Sequence, residues 1–155
     1  MKQDRIVTDN RKARFDYFIE DKFEAGIELF GWEVKSCRAG TVNLQDSYVW
    51  FEAKGESIEA YLKGAYFSQY EFGDKKTQEV RRDRRLLLNR SEISKLHNSV
   101  KMKGFTCVAT KIYFNAGGKV KVEVALARGK HNYDKKKVMK ERDIERETLT
   151  TLNQK

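Results

Sequence analysis

Arg81-Arg82-Asp83-Arg84-Arg85 places four arginines in five positions. A guanidinium is permanently charged and presents a planar fork of donors that fits phosphate oxygens, so such a run suits a polyanion backbone. A solvated loop uses the same residue types. The run, however, leads directly into the apolar triplet Leu86-Leu87-Leu88 within a chain of net charge +9. That context assigns Arg82, Arg84 and Arg85 to phosphate contact. Arg11-Lys12-Ala13-Arg14 is a second patch of the same kind, with Arg11 and Lys12 as its candidates. A third basic region follows Ala127-Arg128-Gly129, where Lys130-His131-Asn132-Tyr133-Asp134-Lys135-Lys136-Lys137 opens a charged run to Lys155.

Residues suited to bond-making chemistry are not grouped. Asp46, Glu52 and Glu59 are scattered, and His97, His131, Cys37 and Cys107 lack the spacing of metal ligands. There is no glycine-rich phosphate loop and no nucleophile elbow. These features describe a binding protein, with no enzymatic activity, metal or cofactor expected. Two cysteines in 155 residues do not make a secreted disulfide scaffold and fit a reducing cytosol. No stretch has the apolar length of a spanning helix, so a membrane is not expected as partner. Hydrophobic residues make up 39% and charged residues 35%, enough for one core beneath a large wet surface.

The elements that must position these residues read mainly as strands. Residues 1–12 are polar and unpatterned and read as a flexible N-terminal arm. From Phe15 the aromatic and β-branched residues through Leu29 predict one long strand, with Gly26 as a bulge. Gly31–Gly40 predicts a short helix with Val34, Cys37 and Trp32 as its inward candidates, stopped by Gly40. Ser47–Ala53 and Ser57–Leu62 form a hairpin across Lys54-Gly55-Glu56. A second helix follows the arginine run, with Ser91 as N-cap, Ile93, Leu96 and Val100 on one face, and Gly104 as its stop. Phe105–Phe114 and Lys119–Ala127 form a last hairpin, in which Val120, Val122, Val124 and Leu126 face inward and the alternate residues face water. Most of the aromatics belong to the core or to cross-strand pairs, and none is singled out for base stacking.

Strands in this order around two helices predict a mainly β fold, a small antiparallel barrel of the oligonucleotide-binding (OB-like) type; an open sheet with helices on one side is the alternative. The expected organisation is a flexible arm at 1–12, an OB-like RNA-binding barrel at 13–128 and a basic C-terminal tail at 129–155. In the tail Lys, Glu, Arg and Met favour helix, yet Val138, Met139, Ile144, Leu149 and Leu152 supply no apolar stripe. The tail is therefore expected to be disordered when free, either as a solubilising end or as a segment that folds in an anion-rich groove.

Read in order, these segments resemble the small protein B (SsrA-binding protein) family, the partner of transfer-messenger RNA. The resemblance rests on Asn10–Arg14, Tyr17–Glu20, Phe23–Ile27, Gly31–Ser36, Arg38–Gly40, Asn43, Asp46–Val49, Arg84–Leu88, Ala127–Lys130 and Tyr133–Lys136. It spans nearly the whole chain after about residue 8. It implies an OB-like barrel acting in the bacterial cytoplasm in trans-translation, the rescue of ribosomes stalled on messages without a stop codon. The implied partners are the tRNA-like domain of transfer-messenger RNA, elongation factor Tu through the alanyl-charged RNA, and the decoding centre and empty message channel of the stalled ribosome, with the protein a monomer.

By motif, the resemblance carries RNA contact to Asn10, Glu24 and Leu87. It carries ribosome contact to Gly129, Lys130, Tyr133, Asp134, Lys135 and Lys136, in a tail that becomes helical on the ribosome. The chemistry of these residues is compatible. Asn10 offers donor and acceptor, Glu24 can accept from base amines or 2′-hydroxyls, and Tyr133 can stack while its neighbours hold phosphates. Leu87, within three leucines, suits core packing as well. Phe15 stands where the family usually has His, Val80 where a proline is typical, and Lys136 where Arg is usual. Two other classes share the basic composition: a structural ribosomal protein with a basic tail, and an RNA-processing enzyme, which would need a clustered carboxylate or metal site.

Overall fold

The long hairpin predicted near the end of the sequence is the spine of the molecule. In a computed structural model that describes residues 4–129, the strands Thr106–Phe114 and Val120–Gly129 pair in antiparallel register, and the other strands of the main sheet are laid on either side of them. In chain order the elements are β1 (Arg5–Asp9), α1 (Arg11–Asp16), β2 (Tyr17–Ile27), α2 (Gly31–Ala39), β3 (Val42–Asn43), β4 (Tyr48–Lys54), β5 (Ser57–Lys63), β6 (Tyr66–Phe67), β7 (Arg84–Leu87), α3 (Arg90–Lys103), β8 (Thr106–Phe114) and β9 (Val120–Gly129). The main sheet has the order β1-β8-β9-β2-β7-β5-β4, and β3 and β6 form a separate two-stranded ribbon. The main sheet curls until β4, at one end of the order, packs against β8 near the other. The mainly β, barrel-like architecture expected from the strand order is the one found.

Local expectations fare unevenly. Residues 5–9 form a strand on β8 instead of a loose arm: Ile6 pairs with Tyr113 and Thr8 with Ile112, and Val7, at the irregularity between them, packs against the core. The long strand begins at Tyr17, since Asn10 caps a helical turn and a half over Arg11–Asp16. Gly26 is no bulge: it stays in register with Lys121 and with Leu87, and the irregularity in β2 falls at Glu20. The cap of α3 is Asn89. Its Oδ1 accepts from the Glu92 amide at 3.0 Å while Glu92 accepts from the Asn89 amide at 3.2 Å, a reciprocal box that Ser91 cannot make.

Inside the curl, Leu44, Leu62, Phe67, Leu86, Leu96, Ile112, Val122 and Val124 are buried together. Leu96 carries α3 onto this core, with Ile93 and Val100 half-buried beside it. The other face of β9 is not uniformly wet. Ala125 and Ala127 are covered by α1, whose Ala13 packs on them and on Val108, with Tyr17 and Ile19 alongside. Small side chains at these crossing points let the helix lie close on the sheet. The tail expected from the sequence to be disordered when free lies, from residue 130 on, outside the described residues.

Candidate RNA-binding surface

Alternation along β7 sorts the arginine run. Successive strand residues point to opposite faces, so Arg84 and Leu86 go inward while Arg85 and Leu87 go outward. Arg84 is 0% exposed. Its Nε donates to Glu33 Oε2 at 2.6 Å, Nη1 donates to the carbonyls of Ala65 and Arg82, and Nη2 donates to Val80. The guanidinium also lies 3.9 Å from the centroid of the Phe67 ring. Burial pulls its pKa below the ordinary arginine value, and Glu33 opposes that shift.

Arg82 commits Nε and Nη2 to the same carboxylate, at 3.1 and 2.7 Å, and stacks on Phe30. Two of the three arginines assigned to phosphate therefore hold the fold. Arg84 has no route to a phosphate, because it is enclosed and its donors are used. Arg82, half-buried, spends its fork on Glu33. Arg85 has an outward side chain, 43% exposed, with looser pairing to Glu28 and Glu59 at 3.4 and 3.5 Å.

Asn10 is also an internal residue. It is 5% exposed. Its Nδ2 donates to the carbonyls of Ala109 (2.9 Å) and Leu44 (3.3 Å), and its Oδ1 accepts from the Ala13 amide. The side chain that suits a nucleotide edge is used to tie the start of α1 to β8 and to the β3–β4 loop. Asn10 thus positions α1, which presents Arg11, Lys12 and Phe15 to solvent; Phe15 is 78% exposed. Lys12 pairs with Asp16 one turn on, at 3.0 Å, and that hydrogen bond raises its pKa.

Glu24 and Leu87 share the outer face of the sheet. Leu87 lies directly across from Gly26, and Glu24 sits two residues earlier on β2, on the same side. Leu87 is 45% exposed, so of the three leucines Leu86 serves the core and Leu87 does not. A Cβ on Gly26 would come within 3.3 Å of the Leu87 Cβ, which is why glycine stands there: the exposed leucine is laid flat over β2. Glu24 is held by the Tyr113 hydroxyl, which donates to its Oε2 at 2.5 Å. Burial, and then Glu24, push the Tyr113 phenol above its ordinary pKa, so the donor keeps its proton. The sequence reading missed Tyr113; its place beside Lys111 in an alternating strand was the available signal.

Because Ala125 and Ala127 belong to the same face of β9 as Glu123, α1 and the Glu24–Leu87 patch lie on one side of the sheet. Gly129 ends β9 opposite Tyr17, so the chain leaves the barrel beside α1. Lys130, Tyr133, Asp134, Lys135 and Lys136 lie outside the described residues. Among the described residues no group of three His, Cys, Asp or Glu could hold a metal, and no helix is long and apolar enough to cross a membrane. Cys37 and Cys107 are buried, and burial pushes both thiols up to about 12.

Comparison with known proteins matches residues 7–154 to the family model described as SmpB protein. An SsrA-binding protein of Moorella thermoacetica is 47% identical over 153 residues, covering 99% of this chain and 96% of that one. The SsrA-binding protein of Orientia tsutsugamushi (strain Ikeda) is 44% identical, covering 97% and 96%. A chain in a solved structure described as "tmRNA-SmpB: a journey to the center of the bacterial ribosome" superposes with a TM-score of 0.64 at 46% identity, over 79% of this chain and 83% of that chain. With a match across almost its full length and relatives this close, the chain belongs to the SmpB protein family.

Proposed function

We propose that this chain is an RNA-binding factor of trans-translation, with no catalytic step of its own. It binds the tRNA-like domain of transfer-messenger RNA and accompanies it with elongation factor Tu to ribosomes stalled on non-stop messages in the bacterial cytoplasm. It acts there as a monomer. The observation that carries this reading is the near full-length match to relatives named SsrA-binding proteins.

The outer face gives the reading a physical form. Glu24, held by Tyr113, accepts hydrogen bonds from base amines or 2′-hydroxyls; Leu87 gives an apolar contact; Arg85 adds a phosphate contact. Arg11 and Lys12 on α1 extend the basic rim. Beyond Gly129, the tail residues Lys130, Lys135 and Lys136 counter phosphates and Tyr133 stacks on a base. The segment folds as a helix only where a message does not already fill the channel. Discrimination of stalled ribosomes then comes from exclusion.

Filter binding tests the reading. The full chain should hold the tRNA-like domain of transfer-messenger RNA at least about tenfold more tightly than an unrelated hairpin of equal length. Equal affinity for the two would reduce the protein to a general polyanion binder.

A further inference from the structure

On the α1 side of the barrel, a cavity of about 330 Å³ opens between α1 and the β3–β4 loop, with Lys12, Asp16, Tyr17, Asp46, Ser47 and Tyr48 in its wall. A fixed carboxylate without a partner sets it apart from an ordinary surface hollow. Asp46 has φ of 68°, the one non-glycine residue in the left-handed region among the described residues. Its carboxylate makes no hydrogen bond there and acts on Lys12 across space. The turn is held in place: Gly64 backs it so closely that a Cβ would lie 3.0 Å from the Asp46 carbonyl oxygen. The wall is therefore preformed, with a free acceptor, a cationic donor and two phenol rings.

The geometry points to a pocket for a guanine base, with Asp46 reading its edge. A carboxylate only accepts, so it prefers a base that presents two adjacent donors. Guanine does this with N1–H and the N2 amine. Adenine and cytosine each place an acceptor beside their single amino donor, and uracil flanks its one donor with two acceptors. The guanine O6, next to N1, is an acceptor that the Lys12 ammonium can meet. Tyr17 and Tyr48 offer apolar ring surface to the base. An unpaired guanine in RNA and a free guanine nucleotide share this edge. The inference deepens the RNA-binding reading and rests on it.

The test is fluorescence anisotropy on the full chain with labelled oligouridine heptamers carrying guanosine or adenosine at the centre. Wild type should prefer the guanosine heptamer by about tenfold or more. Asp46→Asn, which replaces one acceptor by a donor but suits the same backbone turn, should abolish the preference. Lys12→Met should weaken guanosine binding while leaving Tm nearly unchanged, because its pair with Asp16 is exposed. Displacement of the heptamer by millimolar GMP and not AMP would support the pocket and make free nucleotide a ligand; displacement by neither, with the preference intact, would support it with RNA as the source. Equal binding of the two heptamers, or a preference that survives Asp46→Asn, would overturn the pocket. Binding of the tRNA-like domain by the same variants is read separately, so the pocket can fail while the family function stands.

Discussion

Arg84 and Glu33, 51 residues apart in the chain, form an enclosed ion pair at 2.6 Å that joins the first residue of β7, inside the arginine run, to the first turn of α2. Both side chains are 0% exposed, and Arg82 closes the same carboxylate from the rim. Removing one partner leaves the other charge buried without compensation. Arg84→Ala should cost about 3–5 kcal/mol of stability in urea unfolding, and Arg84→Met with Glu33→Leu should recover most of it. A loss under 1 kcal/mol, on the order of an exposed pair, would show that the cluster is wet.

Glu24 should behave in the opposite way, losing affinity without losing stability. Its carboxylate is exposed, so Glu24→Ala should leave Tm nearly unchanged while weakening the RNA complex by about 1–3 kcal/mol. Tyr113→Phe keeps the carboxylate but releases its anchor, and should cost a smaller part of the same affinity. If Glu24→Ala lowers Tm as much as it lowers RNA affinity, Glu24 is a structural residue.

Arg85 replaces its neighbours as the arginine of this run expected on phosphate. In a log K against log salt plot, Arg85→Ala should reduce the slope by about 0.7–0.9, the share of one neutralised phosphate. Arg82→Ala should destabilise the α2 junction instead. A slope that Arg85→Ala leaves untouched would mean that its ties to Glu28 and Glu59 persist in the complex.

Alkaline pH should loosen the fold through two thiols. Cys37 and Cys107 ionise near 9.0 when exposed and near 12 when buried, for Cys37 with Glu33 adding to the effect of burial. The unfolded chain thus releases these protons first. The stabilising contribution is complete below pH 9 and is lost as pH rises toward 12, at up to about 1.4 kcal/mol per pH unit for each thiol. A thiol reagent at about pH 8 should accordingly react at the rate of unfolding. Fast reaction of either cysteine in the native protein would contradict its enclosure.

The legible parts of this fold were those set by local pattern. The β4–β5 and β8–β9 hairpins follow from alternation around glycine turns, and Gly40 and Gly104 end their helices in the left-handed region as expected. What the sequence obscured depends on distant partners. Arg84 reads as one more cation of a basic loop until Glu33, on a helix with little apolar content, is brought beneath it. Asn10 reads as a surface nucleotide contact until the Leu44 and Ala109 carbonyls are seen to take its donors. The β1 strand is obscured because its partner β8, beside it in the sheet, lies about a hundred residues on in the chain. Leu87 was ambiguous among three leucines, and only strand parity, anchored by the close Gly26, turns it outward.

The division of labour between body and tail is most directly tested by truncating the chain after Gly129, which keeps the pairing of Gly129 with Tyr17 and the whole of β9. With folding confirmed by circular dichroism, affinity for the tRNA-like domain of transfer-messenger RNA would be measured by filter binding alongside the full chain. Recognition by the outer face of the sheet predicts dissociation constants within about threefold of each other, a difference of about 0.7 kcal/mol, together with loss of peptide tagging on stalled ribosomes. RNA binding that disappears with the tail would contradict it.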